Sequence, residues 1–424
     1  MISKVEPRRE ERRLFERLRA AARAHGSGVR AWIVGGYPRD RLLGREPGRE
    51  LDLAVSGIDG LAFARGLGAD AHPRGHGGPA AHLKNGQAFL EGVHVDFARL
   101  RRESYDEGSR IPALAGAEAS LEEDAARRDF TINALYLELD SGVVVDPCGH
   151  GLADLAERRL RTPIPLGESL RQDPLRFFRG VRFAAQLDFE LPVDWDVEAA
   201  HEELAPLFER KLSGARVREE LLGKLETKRG ALTGRGAARA LMLLLEHPAS
   251  ARWLGALQER AVERLRSVET LGASEDFATR VGRALLAVLG SDAEQVMERL
   301  GVPREVAQRV LRAIALENAW ESAHGPSDRE LRAALHRGGA EVGDALHFAL
   351  AAVPGLALRV EAARAAIARG EPLRASDLMA LGFPPGRSLG RALERVREAW
   401  LDDPTLDAAR ACALIAEEPR APHS

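Results

Sequence analysis

The sequence predicts an α+β protein, with a small mixed-sheet head followed by an all-helical remainder. Up to residue 147, short apolar runs of strand length alternate with helical and glycine-rich stretches. From about residue 150 onward, Ala, Leu, Arg and Glu recur at helical spacing, interrupted by Gly or Pro. A chain of 424 residues also exceeds what one hydrophobic core supports. We therefore expect an N-terminal helical extension (1–28), a mixed-sheet head (29–150), a helical neck (151–228), and a helical body and tail (229–424).

The individual elements follow from the same patterns. A charged amphipathic pattern predicts a first helix from Glu10 to His25, ended by a glycine-containing stretch. Five apolar runs predict the strands of the head, at 31–34, 51–55, 93–98, 132–138 and 142–146. After residue 150 we expect helices only.

The bulk composition excludes several classes of protein. Hydrophobic residues make up 45% of the chain and charged residues 29%, and no apolar run approaches the length of a membrane span. The formal net charge is −3, so no global basic field indicates nucleic acid. Cys148 and Cys412 are too few and too far apart for a disulfide framework, and the charged N-terminus lacks the apolar core of a signal peptide. We expect a cytoplasmic protein.

A glycine turn follows the first predicted strand. Gly35 and Gly36 end an apolar run, and glycine lets the backbone approach a ligand with no Cβ in the way. Such a turn exposes amide donors that can cradle a phosphate. The alternative interpretation is a plain turn between two elements.

Acidic residues occur on two of the predicted strands. Glu50 and Asp52 share one strand face and lie roughly 6.5–7 Å apart along the chain. Carboxylates so placed can hold the two ions, about 3.5–4 Å apart, of an in-line nucleotidyl transfer. Asp96, inside the strand 93–98, either joins them from a neighbouring strand, which we favour, or caps its own strand. His94 shares its face, but one His without a second ligand is poor support for zinc.

The string RRDFTINAL, residues 127–135, places two adjacent arginines before an apolar run. By itself it is compatible with a solvated charged corner. However, it resembles the signature of class II tRNA nucleotidyltransferases and bacterial poly(A) polymerases, which belong to the DNA polymerase beta superfamily. The glycine turn and the acidic strand resemble the opening segment of the same family.

Further blocks match in the family's order. Residues 146–155 resemble its linker, 172–184 its base-reading helix, 215–225 its neck helix and 376–390 its tail motif. The resemblance runs from about residue 30 to 400. It implies a catalytic, polymerase-beta-like nucleotidyltransferase head at 29–150, a neck at 151–228 that binds the base and RNA, and a body and tail at 229–424 that bind tRNA. It also implies Mg²⁺ as cofactor and addition of nucleotides to the 3′ end of tRNA or another RNA. Our first hypothesis is addition of C and A to the CCA end of tRNA from CTP and ATP.

The predicted helix at 173–184 also carries a chemical argument. Asp173 and Pro174 suit a helix cap and first turn, and arginines then recur every three residues along one side. An Asp that accepts and an Arg that donates match the donor beside an acceptor that cytosine and adenine present. Uracil and guanine present the reverse, and each unpaired polar group would cost on the order of 1–3 kcal/mol. One pair could thus select C and A without a template.

The resemblance assigns roles residue by residue. Asp173 and Arg176 would select the base. The residues expected to bind the nucleotide or its phosphates are Gly35, Gly36, Arg39, Arg128, Arg179 and Arg182. The catalytic carboxylates would be Glu50, Asp52 and Asp96, with Mg²⁺ held by Glu50 and Asp52. The polar loop 101–110 would be the family's flexible switch from C to A addition, or else a solvated surface loop.

Three positions depart from the family pattern. Glu50 stands where the family has Asp, Gln172 where it has Glu, and Pro38 where it has an apolar residue. A carboxylate displaced by about 1 Å can lower a rate about 10²-fold. A second hypothesis is therefore a catalytically weakened paralogue that binds RNA. Within the first hypothesis, an A-adding or CC-adding specialist and a poly(A) polymerase stay open.

Overall fold

The structure is a computed structural model. It describes residues 3–68, 71–73, 83–104, 113–114, 119–191, 206, 211–222, 234–245, 249–269, 277–320 and 325–416. The chain divides into two compact units, Met1–Gly255 with Arg299–Gly301, and Ala256–Glu298 with Val302–Ser424.

The first unit contains a seven-stranded mixed sheet. Its strands are β1 (Arg30–Val34), β2 (Glu50–Ser56), β3 (His72–Pro73), β4 (Gly86–Leu90), β5 (Val93–Arg99), β8 (Tyr136–Glu138) and β9 (Val144–Val145). Two further short strands, β6 (Glu103–Ser104) and β7 (Ala113–Leu114), pair separately. The order across the sheet is β3-β4-β5-β2-β1-β8-β9, with β2 and β5 parallel and the other neighbours antiparallel.

Helices accompany the sheet and continue beyond it. They are α1 (Arg12–Ala24), α2 (Gly36–Leu42), α3 (Gly60–Arg65), α4 (Leu121–Ala126), α5 (Gly151–Ala156), α6 (Leu166–Gln172), α7 (Leu175–Leu187), α8 (Gly214–Leu222), α9 (Gly234–Leu245) and α10 (Ala249–Leu254). The first forms because Leu14, Leu18 and Ala21 recur at helical spacing and are buried.

The two faces of the central strands differ in character. Leu51, Leu53, Val95 and Phe97 point to one face and are buried. Helix α3 covers this face, where the rings of Phe63 and Phe97 lie 5.7 Å apart. Since side chains alternate along a strand, the intervening residues of β2 and β5 all point to the opposite face.

Three of the five strand predictions are confirmed, and two elements differ from expectation. The run 132–138 is not one strand, because Thr131–Asn133 forms a 3₁₀ turn and the strand begins only at Tyr136. The cause is local side-chain bonding: Asp129 accepts hydrogen bonds from the amide of Phe130 and from the side chain of Asn133. The predicted strand 142–146 begins only at Val144, because Gly142, with a φ of +69°, closes a turn just before it.

The remaining helices are α11 (Ala261–Glu269), α12 (Phe277–Val288), α13 (Ala293–Arg299), α14 (Arg304–Ala319), α15 (Asp328–Arg337), α16 (Ala340–Ala352), α17 (Leu356–Ala368), α18 (Ala375–Ala380), α19 (Arg387–Asp402) and α20 (Ala408–Leu414). Near the C-terminus, Leu378, Phe383, Val396 and Trp400 share one buried core. Within the described residues after 145 there is no strand, as the sequence predicts. None of the described helices is both long and apolar enough to span a membrane.

Candidate active site

The sheet register brings two carboxylates side by side. Asp52 on β2 is the partner of Asp96 on the parallel strand β5, and Glu50 is the partner of His94. Adjacent strands lie about 4.8 Å apart, and all four side chains point to the same face of the sheet. The structure thus places the three predicted carboxylates on one face, with Asp52 and Asp96 adjacent and Glu50 one pair further along.

The glycine turn lies beside Asp52. Val34, the last residue of β1, pairs with Asp52, and Gly35 then turns the chain into α2 with a φ of +83°. A Cβ at Gly35 would lie only 3.0 Å from Oδ2 of Asp52, so glycine keeps the space beside this carboxylate open. Pro38 is compatible with this arrangement, because it lies in the first turn of α2, where its missing N–H has no helical partner to lose.

The donor set fits a hard divalent cation. Magnesium is typically bound by one or two carboxylates, with water and substrate phosphate completing its shell. Asp52 and Asp96, with the space that Gly35 leaves, meet this requirement. Across the part of the chain that the structure describes, no three His, Cys, Asp or Glu side chains gather closely enough to hold an ion by themselves. A bound ion would therefore take some of its ligands from substrate and water.

A buried carboxylate orients the arginine pair. Asp124 of α4 accepts from Nε of Arg127 at 2.9 Å, from Nη2 of Arg128 at 3.1 Å and from the hydroxyl of Tyr136 at 2.5 Å. Burial alone would raise the pKa of Asp124, but the two guanidinium charges and the Tyr136 hydroxyl outweigh it and lower the pKa. Asp124 therefore stays ionised and holds both arginines in one arrangement.

Arg128 supplies fixed positive charge near the acidic pair. Its Nε donates to the hydroxyl of Tyr136 at 2.9 Å, and Val34 pairs with Tyr136 on one side and with Asp52 on the other. Burial would lower the pKa of Arg128, but its interactions with the Tyr136 hydroxyl and with the carboxylates of Asp124 and Asp52 raise it. The guanidinium is thus a permanent cation whose field reaches Asp52.

A second carboxylate, Asp129, connects the arginine string (residues 127–135) to α7. Its Oδ2 accepts from Nε and Nη2 of Arg179 at 2.9 and 2.6 Å, and its Oδ1 accepts from Nδ2 of Asn133 at 3.1 Å. Burial would raise the pKa of Asp129, but the Arg179 charge and these hydrogen bonds lower it to about 2. The oxygen of Asn133 accepts in turn from Nη1 of Arg39 at 2.7 Å. Hydrogen bonds therefore link α2, the arginine string and α7.

Arg176 is buried and fixed by its neighbours. Its Nη1 donates to Oγ of Ser169 at 2.7 Å and to Oε1 of Gln172 at 3.4 Å, and its Nη2 donates to the backbone carbonyl of Arg127. Gln172 thus keeps a contact to Arg176 although it lacks the charge of the family's Glu. The predicted base-reading guanidinium is held in place before any nucleotide binds.

The two carboxylate oxygens of Asp173 contact different helices, one the start of α7 and the other Arg216 of α8. Its Oδ1 accepts from the backbone N–H of Leu175, the first residue of α7, at 3.2 Å, although the N-cap position itself is Pro174 and not Asp173 as the sequence suggested. Its Oδ2 lies 3.8 Å from Nη2 of Arg216. Nη1 of Arg216 is buried with no hydrogen-bond partner in the described residues. An acceptor and a donor therefore adjoin each other at this end of α7.

Arg182, the third arginine of α7, is directed toward α8. Its Nε donates to Oε2 of Glu220 at 2.5 Å, and its guanidinium lies 4.0 Å from the ring centroid of Phe183. Its nucleotide contact stays a prediction, as does that of Arg179.

Sequence reasoning missed the partners of the arginines. Asp124 carries a usable signal, since it precedes Arg127 and Arg128 by three and four residues, the spacing of neighbours on a helix. Asp129 and Arg179 are fifty residues apart, and no local pattern relates them. Arg216 lies in the predicted neck helix without an assigned role.

The predicted switch loop is only partly described. In the loop 101–110, residues 105–110 lie outside the described residues, so its predicted switch role stays a prediction. Away from the head, His336 and His347 are partly buried, with Nε2 of His336 2.9 Å from Glu371 and Nε2 of His347 3.1 Å from Oγ of Ser267.

Comparison with known families addresses the head directly. Residues 31–161 match the family model described as the poly(A) polymerase head domain, a range that contains the acidic strands, the glycine turn and the arginine string. The similarity to this family therefore covers the head of the chain. The resemblance to class II tRNA nucleotidyltransferases and bacterial poly(A) polymerases is confirmed.

Individual proteins extend the comparison. The mitochondrial CCA tRNA nucleotidyltransferase of Saccharomyces cerevisiae is 36% identical over 204 residues, 45% of this chain and 37% of that protein. The A-adding tRNA nucleotidyltransferase of Aquifex aeolicus is 41% identical over 170 residues, 38% of this chain and 19% of that protein. The chain thus spans less than half the length of these relatives.

A solved CCA-adding enzyme in an apo form matches with a TM-score of 0.71 and 21% identity, covering 97% of this chain and 96% of that one. The predicted fold class, a mixed-sheet head followed by helices, is confirmed.

Proposed function

We propose that this protein is a nucleotidyltransferase that adds C and A to the 3′ end of tRNA without a template, from CTP and ATP with release of pyrophosphate. The observation that carries the proposal is the pairing of Asp52 with Asp96 beside the Gly35 turn, inside a poly(A) polymerase head domain. A carboxylate pair on an open sheet face, next to fixed positive charge, suits in-line transfer to a phosphate.

The residues of the acidic face would act together on the transferred nucleotide. Asp52 and Asp96 would hold Mg²⁺, with Glu50 assisting from the first position of β2. Bound there, Mg²⁺ would make the RNA 3′-hydroxyl a better nucleophile and offset charge on the leaving pyrophosphate. Gly35 and Gly36 would let the triphosphate approach the backbone.

Arginines of the head and of α7 would complete the triphosphate site. Arg128, fixed by Asp124, would place a permanent positive charge beside the reacting phosphates. Arg39, Arg179 and Arg182 would add charge on the same side.

Base selection would fall to the N-terminal end of α7. Asp173 would accept from the exocyclic amino group of cytosine or adenine, and Arg176 would donate to the adjacent ring nitrogen. Because Ser169 and Gln172 already hold Arg176, little side-chain entropy would be lost on binding. Arg216 lies beside Asp173, with its Nη2 3.8 Å from Oδ2, and its Nη1, which has no hydrogen-bond partner among the described residues, would add a donor.

Two features support a tRNA substrate in the cytoplasm. The names of the relatives refer to tRNA nucleotidyltransferases, and the match to a CCA-adding enzyme extends through the helical remainder, which would hold the RNA. Both cysteines, Cys148 and Cys412, are free thiols, as a reducing compartment favours.

Since CCA-adding and A-adding relatives both match, A-adding, CC-adding and poly(A) activities are the alternatives within this class.

The test uses the full chain, Mg²⁺ and tRNA that lacks its last three nucleotides. Labelled CTP, ATP or both are supplied, and products are resolved at single-nucleotide length. We expect addition of CCA with both nucleotides, abolished in Asp52→Ala while tRNA binding persists. Labelling by CTP alone, ATP alone or long A-tails would identify a specialist instead. Absence of any extension with intact tRNA binding would overturn the enzyme and favour the weakened paralogue that Glu50 suggests.

A further inference from the structure

An aromatic pair lies on the same sheet face as the carboxylates. Phe89 on β4 is the register partner of His94 on β5, and His94 is in turn the partner of Glu50 on β2. Phe89 and His94 therefore continue, across two more strands, the row that begins at Glu50. The neighbouring row contains Asp52 and Asp96.

The pair presents an exposed aromatic surface on the face that carries the carboxylates. Phe89 is 55% exposed, and among the exposed large hydrophobic side chains of the described residues it is the one aromatic. Its ring centroid lies 4.8 Å from that of His94, at an interplanar angle of 53°. A ligand that covered this ring would bury apolar surface and gain hydrophobic free energy.

The pair is held rigidly by a tight hairpin. Glu91 and Gly92 form the two-residue turn between β4 and β5, both with positive φ. Oε1 of Glu91 accepts a hydrogen bond from Nη1 of Arg17 at 2.8 Å, which ties the turn to α1. The ring of Phe89 is thus presented by the sheet itself.

We propose that Phe89 and His94 form a stacking platform for the last bases of the single-stranded RNA 3′ end. The inference rests on the proposed function, because it supplies the acceptor side of the same site. Aromatic rings bind unpaired bases in a sequence-tolerant way, as an acceptor that changes at every step of addition requires. From strand geometry, Phe89 lies about 8 Å from Asp96 and about 12 Å from Asp52 along the sheet, within reach of the terminal nucleotides.

The order of the strands separates acceptor from incoming nucleotide. The glycine turn and Arg128 lie on the β1–β8 side of Asp52, whereas Phe89 lies beyond Asp96 on the β5–β4 side. In an in-line displacement, the attacking hydroxyl and the leaving pyrophosphate lie on opposite sides of the transferred phosphorus. If the triphosphate occupies the β1 side, the RNA 3′ end arrives from the β4 side, over Phe89.

A kinetic comparison tests the assignment. We expect Phe89→Ala to raise KM for the truncated tRNA about tenfold, with KM for CTP and ATP unchanged. Phe89→Leu, which keeps apolar bulk without a ring, should show most of this rise in KM. Phe89→Trp, which keeps an aromatic ring, should retain the wild-type KM. An unchanged acceptor KM in Phe89→Ala, a wild-type Phe89→Leu, or a selective rise in nucleotide KM would each overturn the platform.

A binding experiment separates this proposal from the enzymatic one. In Phe89→Trp, the fluorescence difference from the wild-type protein reports on position 89 alone. Titration with a short single-stranded RNA ending in ACC, without nucleotide, should quench that signal, and a fully paired RNA duplex with blunt ends should not. Quenching without catalysis would support the platform while the transferase proposal fails. Absence of quenching in a catalytically active protein would overturn the platform alone.

Discussion

The acidic sheet face and helix α7 position their functional side chains in different ways. On the sheet, backbone register places Asp52 next to Asp96, and both side chains remain accessible on the surface. On α7, the guanidinium groups of Arg176 and Arg179 are held by hydrogen bonds from distant segments. Substitutions on the sheet face should therefore change chemistry without changing stability, whereas substitutions in the α7 network should change both.

Asp52→Asn gives the largest expected effect and probes the sheet half. Loss of a metal-binding carboxylate should lower kcat by about 10³-fold or more, because several kcal/mol of charge stabilisation disappear. The melting temperature should stay within about 1 °C, as for other exposed substitutions. The matched control is Asp140→Asn, an exposed acid paired with Arg23, which should leave both quantities unchanged. A large fall in melting temperature in Asp52→Asn would erase the contrast between the two regions.

Asp124→Asn should have the next largest effect. It probes the hydrogen-bond network of α7, because Asp124 holds Arg127, whose carbonyl accepts from Arg176. The isosteric amide leaves Arg127 and Arg128 without their buried counter-charge, which should cost about 3 kcal/mol of unfolding free energy. The rate should fall as well, because Arg128 loses its fixed position. Denaturant unfolding and kcat are measured together, with Glu122→Gln on the same helix as control. Lost activity at full stability would mean that Asp124 acts in the chemistry directly.

The pH dependence of stability isolates one ion pair of the network. The folded-state pKa of Asp129, about 2, lies below its ordinary value of about 3.9, so its contribution is fully present above that ordinary value. It is lost as the pH falls toward 2 and amounts to about 2–3 kcal/mol. Wild type should therefore exceed Asp129→Asn in unfolding free energy at pH 7, and the difference should shrink between pH 5 and pH 2. A difference independent of pH would show that the Arg179 pair contributes nothing through charge.

Glu50→Asp should have the smallest effect. Glu50 is the exposed first residue of β2 and pairs with His94, one position away from the adjacent carboxylates. Shortening its side chain should change kcat by less than about tenfold, below the loss typical of a displaced principal group. Single-turnover rates provide the measurement. A gain of more than tenfold would mean that the longer side chain compromises the native site.

Local patterns in the sequence predicted which side chains of the acidic strands share a face, but not which strands are neighbours. Alternation along 51–55 and 93–98 predicts which side chains share a face, and that face carries Asp52 and Asp96. The pairing of β2 with β5 is not contained in either pattern, because strand order depends on the whole sheet. The 3₁₀ turn at Thr131–Asn133 was missed for a different and local reason, because hydrogen bonds to the side chain of Asp129 override the strand preference of an apolar run.

The α7 half could be predicted in position but not in its contacts. Spacing placed Arg176, Arg179 and Arg182 along one side of a helix, yet their partners come from Arg127, Asp129 and Glu220, thirty-eight to fifty residues away. Long-range ion pairs leave no periodic signal in a single sequence. The contact of the Arg216 guanidinium with Asp173 belongs to the same class.

Nucleotide selectivity tests most directly whether the sheet carboxylates serve the chemistry while α7 selects the base. The measurement is kcat/KM for CTP, ATP, UTP and GTP on truncated tRNA, in wild type, Asp52→Asn and Asp173→Ala. We expect wild type to prefer CTP and ATP, Asp52→Asn to lower the measurable rates in equal proportion, and Asp173→Ala to reduce the preference itself by about tenfold or more. An Asp173→Ala protein that is slower with every nucleotide but keeps the wild-type preference would contradict the account.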